Sequence, residues 1–205
     1  MRQIRNAGFT LIELIVSISL LVLVGIAMLD FQRDVFLFSH IFDTGLTAEQ
    51  QVRKAFKVTT EEIRTASQSS IGEYPLVEVA TSSFVFYSDI DNDGLKERIR
   101  YFLSASSSTL NKGVIKPTGN PLVYNAGSET VNSIVSDVTN GTSTPVFNYY
   151  DTSYNGTSSP LLNPVPVLLV RLVKITLIVD PNGSRPPEPV TYTTQISMRN
   201  LKDNL

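Results

Sequence analysis

The sequence predicts an α+β protein, in which one long N-terminal helix spans a membrane with its first part and packs with its second on a C-terminal antiparallel β-sheet domain. Three observations predict this. From Phe9 to Leu29 the chain reads FTLIELIVSISLLVLVGIAML, 21 residues carrying one charge, Glu13. Beyond Leu29 polarity rises, but apolar residues go on recurring at helical spacing. Past Ser67 the composition shifts to Ser, Thr, Val, Tyr and Asn, and all 11 prolines lie at or after Pro75.

The apolar run comes first. A spanning helix needs about 20 apolar residues to cross a hydrocarbon core of about 30 Å, and this run has that length. Arg2 and Arg5 precede it, which by the positive-inside rule keeps the N-terminal flank in the cytoplasm and places the rest of the chain on the far side. A secretory signal peptide fits less well, because its apolar core runs to only about 7–15 residues and ends at a small-residue cleavage site. A plain membrane anchor leaves Glu13 unexplained, since an acidic residue inside a span costs about 2.5–3.5 kcal/mol on translocon scales. An intramembrane carboxylate calls for a partner.

The helical pattern then continues. Phe31, Val35, Phe38 and Phe42 follow one another at steps of four, three and four, and Val52, Phe56, Ile63 and Ala66 extend the stripe; such a stripe is expected to face a core. Glu61, Glu62 and Arg64 lie off it and read as a solvated face. A helix from Phe9 to Ala66 would be about 85 Å long. Gly25 and Gly45 are its expected soft points.

The start of the chain resembles the processing signature of type IV pilins and of the pseudopilins of type II secretion. The resemblance is carried by the basic leader, the Gly8-Phe9 junction, Thr10-Leu11-Ile12, Glu13 and the apolar helix that follows. It implies a pilin-like fold, removal of the leader after Gly8 by a prepilin peptidase, and methylation of the new Phe9 amine. It also implies residence in the inner membrane with the C-terminal domain outside the cytoplasm. Assembly with other pilin or pseudopilin subunits would follow, driven by a platform protein and a cytoplasmic ATPase. On this reading residues 1–8 are the leader, 9–29 the transmembrane half of the helix, 30–68 its amphipathic half and 69–205 the β-rich domain. Glu13 of an entering subunit would pair with the Phe9 amine of a neighbour, because a hydrogen-bonded ion pair in apolar surroundings is far less costly than either charge alone. Many members of the family carry a proline near the end of the membrane segment, and this chain has none there.

In the remainder, strands are expected near Leu76–Ala80, Ser83–Ser88, Arg98–Leu103, Leu110–Ile115, Val146–Tyr150, Leu168–Val179 and Thr191–Met198, with a short element around Val131–Val138. Leu168–Val179 is too short and too charged to span a membrane. Its Arg171 and Lys174 have opposite strand parity, which calls for a bulge or for a side chain snorkelling at an edge. Asn140, Asn155 and Asn182 match the N-glycosylation pattern but read better as turn residues. From Phe84 to the end the strand pattern, and the closing TTQISMRNLKDNL, resemble the minor-pseudopilin branch that contains the type II secretion J component. That resemblance implies a minor subunit.

One constellation carries possible metal chemistry. Asp89-Ile90-Asp91-Asn92-Asp93-Gly94 matches the first six positions of an EF-hand loop, and Glu97 lies at the ninth. Arg100 stands where the bidentate Glu belongs, so a complete EF-hand is refused. The flanks are strand-like. Asp89, Asp91, Asp93 and Glu97 therefore read either as a calcium-stabilised β-hairpin loop or as an Asp/Asn/Gly turn that needs no metal.

Composition narrows the function. With 17 Lys and Arg against 19 Asp and Glu the formal charge is −2, so no basic footprint favours nucleic acid. No cysteine is present, which removes disulfides, Cys-based zinc sites and a Cys nucleophile. The one histidine, His40, sits within the helical pattern, and there is no nucleophile elbow, zinc helix or phosphate loop. The chain reads as a structural subunit rather than an enzyme. The alternative is a membrane-anchored binding or adhesion module that uses the 116–164 loops and an ion-fixed hairpin.

Overall fold

The structure is a computed structural model and describes residues 10–141, 143–183 and 188–201. Leu11–Arg64 forms one 54-residue α-helix, α1. No proline interrupts it, and it runs through both Gly25 and Gly45 without a break. It ends where Thr65 turns its hydroxyl back onto the Glu61 and Glu62 carbonyls at 3.0 and 3.1 Å, which satisfies acceptors that the last turn leaves open. Asn200, far along the chain, donates to the Ala66 carbonyl at 3.1 Å.

Two compact units divide the chain at Asp43 and Thr44. In the first, every large apolar side chain of α1 from Leu11 to Phe38 is exposed, with Leu21 at 75% and Phe36 at 74%. The expected core stripe therefore fails over its first half. Phe31, Val35, Phe38 and Phe42 are exposed as well, because beyond Thr10 the described residues of their unit are helix alone and offer them no sheet to pack against. In the second unit the stripe holds: Val52, Ile63 and Ala66 are fully buried, and Phe56 packs against the same core.

The strands of the second unit form two antiparallel sheets. Five follow one another as a meander: β1 (Leu76–Val79), β2 (Ser83–Ser88), β3 (Glu97–Ser104), β4 (Thr109–Ile115) and β5 (Thr130–Val135). The others are β6 (Phe147–Tyr150), β7 (Leu172–Val179) and β8 (Val190–Ser197), with β7 central. Phe84 joins the two sheets, with its ring 5.1 Å from Phe86, 5.6 Å from Tyr149 and 6.0 Å from Phe147. Burying each such ring contributes about 1.5–3 kcal/mol. Bonds to main-chain carbonyls reinforce the junction: Phe147 N donates to Thr81 O at 3.0 Å, and the Tyr149 hydroxyl to Ala80 O at 2.7 Å.

Several expectations need correction. Glu62 is not on a solvated face: its carboxylate is largely covered, accepts from the Tyr101 hydroxyl at 2.6 Å and pairs with Lys112. The apolar stripe misses it because its partners stand on β3 and β4, which a helical wheel does not include. The residues before Leu172 are not strand. Val167–Leu169 is a 3-10 turn and Arg171 precedes β7, donating to the Leu168 and Val170 carbonyls at 2.6 and 3.0 Å. The parity conflict with Lys174 disappears without a bulge. Asn140 is more than a surface turn. Its amide nitrogen bonds to Thr144 O and Thr176 O at 3.0 and 2.9 Å, and its oxygen accepts from Ile178 N at 2.9 Å, which ties the loop to β7. Asn155 does cap a turn, accepting from the amides of Thr157 and Ser158.

Two predictions follow from this division. A chain beginning at Thr44 keeps the whole hydrophobic core, so it should stay soluble without detergent and melt cooperatively by circular dichroism; aggregation or non-cooperative melting would show that the exposed helix is needed for folding. In that shortened chain Glu62→Ala leaves the buried Tyr101 hydroxyl without its acceptor, at a cost of about 1–3 kcal/mol. Urea unfolding at an unchanged midpoint would mean that this contact adds no stability.

Candidate functional site

Two regions gather the chemistry singled out by the sequence, the start of α1 and the β2–β3 loop. Thr10 immediately precedes the helix. Its hydroxyl oxygen accepts from Glu13 N at 3.4 Å, while Glu13 Oε2 accepts from Thr10 N and from the Thr10 hydroxyl, both at 2.8 Å. Thr-x-x-Glu is thus a reciprocal capping box, and it was legible in Thr10-Leu11-Ile12-Glu13. The carboxylate also lies at the helix N-terminus, where the aligned peptide dipoles favour negative charge. Glu13 is therefore less costly in an apolar segment than its residue type suggests. Gly8 and Phe9, the cleavage and methylation residues, lie outside the described residues, as does the side chain of His40. Farther along, the Ser19 hydroxyl donates to Ile15 O at 2.8 Å, so its polarity stays within the helix.

The second region is the tip of the β2–β3 hairpin, whose last strand pair is Ser88 with Glu97. Gly94 has φ 91°, a left-handed conformation that suits glycine, and its amide donates to Asp89 Oδ2 at 3.1 Å. Lys96 donates to the same Asp89 oxygen at 3.1 Å, and Lys116, just past β4, pairs with Asp91 Oδ2. These two ammonium groups hold the Asp89 and Asp91 carboxyls below the usual carboxylate range. Glu97 is fully buried and accepts from Ile90 N at 3.0 Å; burial pushes its pKa up. One carboxylate oxygen from each of Asp89, Asp91 and Glu97 lies within 4.8 Å of the others. Asp93 is not in that group, and its Oδ1 caps the Leu95 amide at 2.8 Å.

Sequence reasoning did not find Lys96 and Lys116 as partners of this loop, nor the contacts that anchor it. Lys96 N donates to the Ser70 hydroxyl at 2.7 Å, and Lys96 O accepts from the Tyr124 hydroxyl at 2.6 Å. Arg100, at the refused twelfth position, points elsewhere, in a two-pronged pair with Glu129 at 2.8 and 2.6 Å. Gly113 makes room for it: a Cβ there would come within 2.1 Å of Glu129 Oε1.

No curated protein matches the chain. Residues 4–29 match the family model for the prokaryotic N-terminal methylation motif. The segment that holds Gly8, Phe9 and Glu13 therefore carries the signature of type IV pilins and pseudopilins, and the long helix followed by antiparallel sheets is consistent with their α+β fold.

Proposed function

We propose that this protein is a structural, non-enzymatic subunit of a type IV pilus-like or type II secretion pseudopilus filament, and a minor rather than a major one. A prepilin peptidase removes Met1–Gly8 on the cytoplasmic face and the Phe9 amine is methylated. The subunit then waits in the inner membrane, with residues from Thr44 onward outside the cytoplasm, until a platform protein and its ATPase draw it into the fibre. One observation carries the reading: the methylation motif over residues 4–29 covers the start of a helix whose large apolar side chains are all exposed as far as Phe38. Lipid before assembly, and the helices of neighbouring subunits after it, would cover that surface.

Intact-mass measurement after co-expression with a prepilin peptidase tests the processing step. The expected product begins at Phe9 and carries one added methyl group; losing Arg2 and Arg5 takes the formal side-chain charge from −2 to −4. An N-terminus at any other residue contradicts the assignment.

The role of Glu13 follows from its position. Within one chain its Oε2 is held by Thr10, and in a fibre the carboxylate is free to exchange that bond for the Phe9 amine of a neighbour. Glu13→Leu should still insert in the membrane, since an intramembrane charge is removed. It should assemble poorly, because the neighbour's amine then lacks its counter-charge. Fibre yield in cells without the wild-type copy is the measurement, and normal incorporation would refute the pairing.

A further inference from the structure

The tip of the β2–β3 hairpin contains two buried carboxylate oxygens that no other described residue hydrogen-bonds. Glu97 Oε1 and Asp89 Oδ1 are both inaccessible to solvent and, among the described residues, have no hydrogen-bond partner. The other oxygen of each is occupied: Glu97 Oε2 by the Ile90 amide, Asp89 Oδ2 by Lys96 and Gly94. The two lysines thus grip the outside of the cluster, Lys96 at Asp89 Oδ2 and Lys116 at Asp91 Oδ2, and do not reach the inner oxygens. A buried polar atom without a partner is costly, and a carboxylate oxygen more so than a neutral one.

We propose that Asp89, Asp91 and Glu97 form a calcium site that closes this hairpin, and this inference does not depend on the filament reading. Three arguments support it. Oxygens bound to calcium lie at about 2.3–2.6 Å from the ion, so any two are at most about 5 Å apart. The three carboxylates meet that condition, lying within 4.8 Å of one another. Charge agrees too: Asp89, Asp91, Asp93 and Glu97 against Lys96 and Lys116 leave two negative charges, which one divalent cation neutralises. The donor set is entirely oxygen, which suits a hard cation. Magnesium fits less well, because it requires a near-ideal octahedron and gives up its water reluctantly. With Arg100 engaged by Glu129 there is no bidentate carboxylate at the end of the loop, so binding is weak, about 10⁻⁴–10⁻³ M. Asp93 is outside the ligand set. It shapes the turn through the Leu95 amide.

The ion would order more than one turn. Lys96 is bonded through its main chain to Ser70, in the segment after α1, and to Tyr124, in the β4–β5 connection, and Ser70 N also reaches the Tyr124 hydroxyl at 3.2 Å. Fixing the hairpin tip therefore holds three connections at that end of the five-stranded sheet.

The test uses the full chain in detergent micelles. Terbium luminescence sensitised by tyrosine reports occupancy directly, and thermal melting in EDTA, magnesium or calcium reports its effect on stability. Calcium at several millimolar should displace terbium and raise the melting temperature by about 2–4 °C or more, with little effect from magnesium. Asp91→Asn, at an exposed position, and Glu97→Gln should each weaken calcium binding about tenfold or more, whereas Asp93→Asn should stay within about threefold of wild type. Equal melting in EDTA and calcium, with terbium not displaced, would overturn the proposal and leave the lysines as the only counter-charge. Loss in Asp93→Asn as large as in Asp91→Asn would overturn the assigned ligand set.

Discussion

The rest of this molecule depends on one constraint: α1 carries more apolar surface than its own chain covers. From Leu11 to Phe38 every large apolar side chain is exposed, while Val52 and Ile63 on the same helix are fully buried. A soluble monomer rarely tolerates a contiguous apolar surface of that extent, so it marks contact with a membrane or with other chains. The capping box of Thr10 and Glu13 belongs to the same problem. It satisfies amides at the start of the helix, and it places the one charge of the segment where the helix dipole favours it.

The second unit resolves its own packing internally. Phe84 gathers aromatic rings from β2 and β6, and Ile63 in the last turn of α1 and Ala66 just beyond it belong to the same core. Polar contacts then fix the placement of the helix on the sheet. Glu62 reaches Tyr101 on β3 and Lys112 on β4, and Tyr101, almost wholly buried, has its pKa pushed well up by that burial and by the adjacent carboxylate. Apolar packing alone is non-directional and tolerates sliding. A carboxylate shared between two strands does not.

Much of this was legible in the residues. The apolar run, its one acid and the glycine–phenylalanine junction announced a helix long and apolar enough to span a membrane, with the methylation motif, because each of those signals is local in sequence. Strand β2 was read at Ser83–Ser88 and found there, since a compact aromatic run between turn residues leaves little choice. Where the signals were weaker the boundaries moved. Arg171 fell outside β7, as the apolar run before it could not by itself separate a 3-10 turn from an extended strand.

The sequence by itself determined that helical spacing would continue past the apolar run, that the first part of α1 would be apolar on every side, and that Asp89, Asp91, Asp93 and Glu97 would share one hairpin, because periodicity and short spacings are properties of the chain. Only the tertiary structure decided where the core stripe begins, since that depends on which helical residues find sheet to cover them. It alone turned Glu62 from a surface acid into a helix–sheet contact, brought Lys116 to Asp91 across 25 residues, and used the two lysines on outer carboxylate oxygens while leaving the inner ones bare. Pairing of strands distant in sequence sets those contacts, and no local pattern records which side chains that pairing will place together.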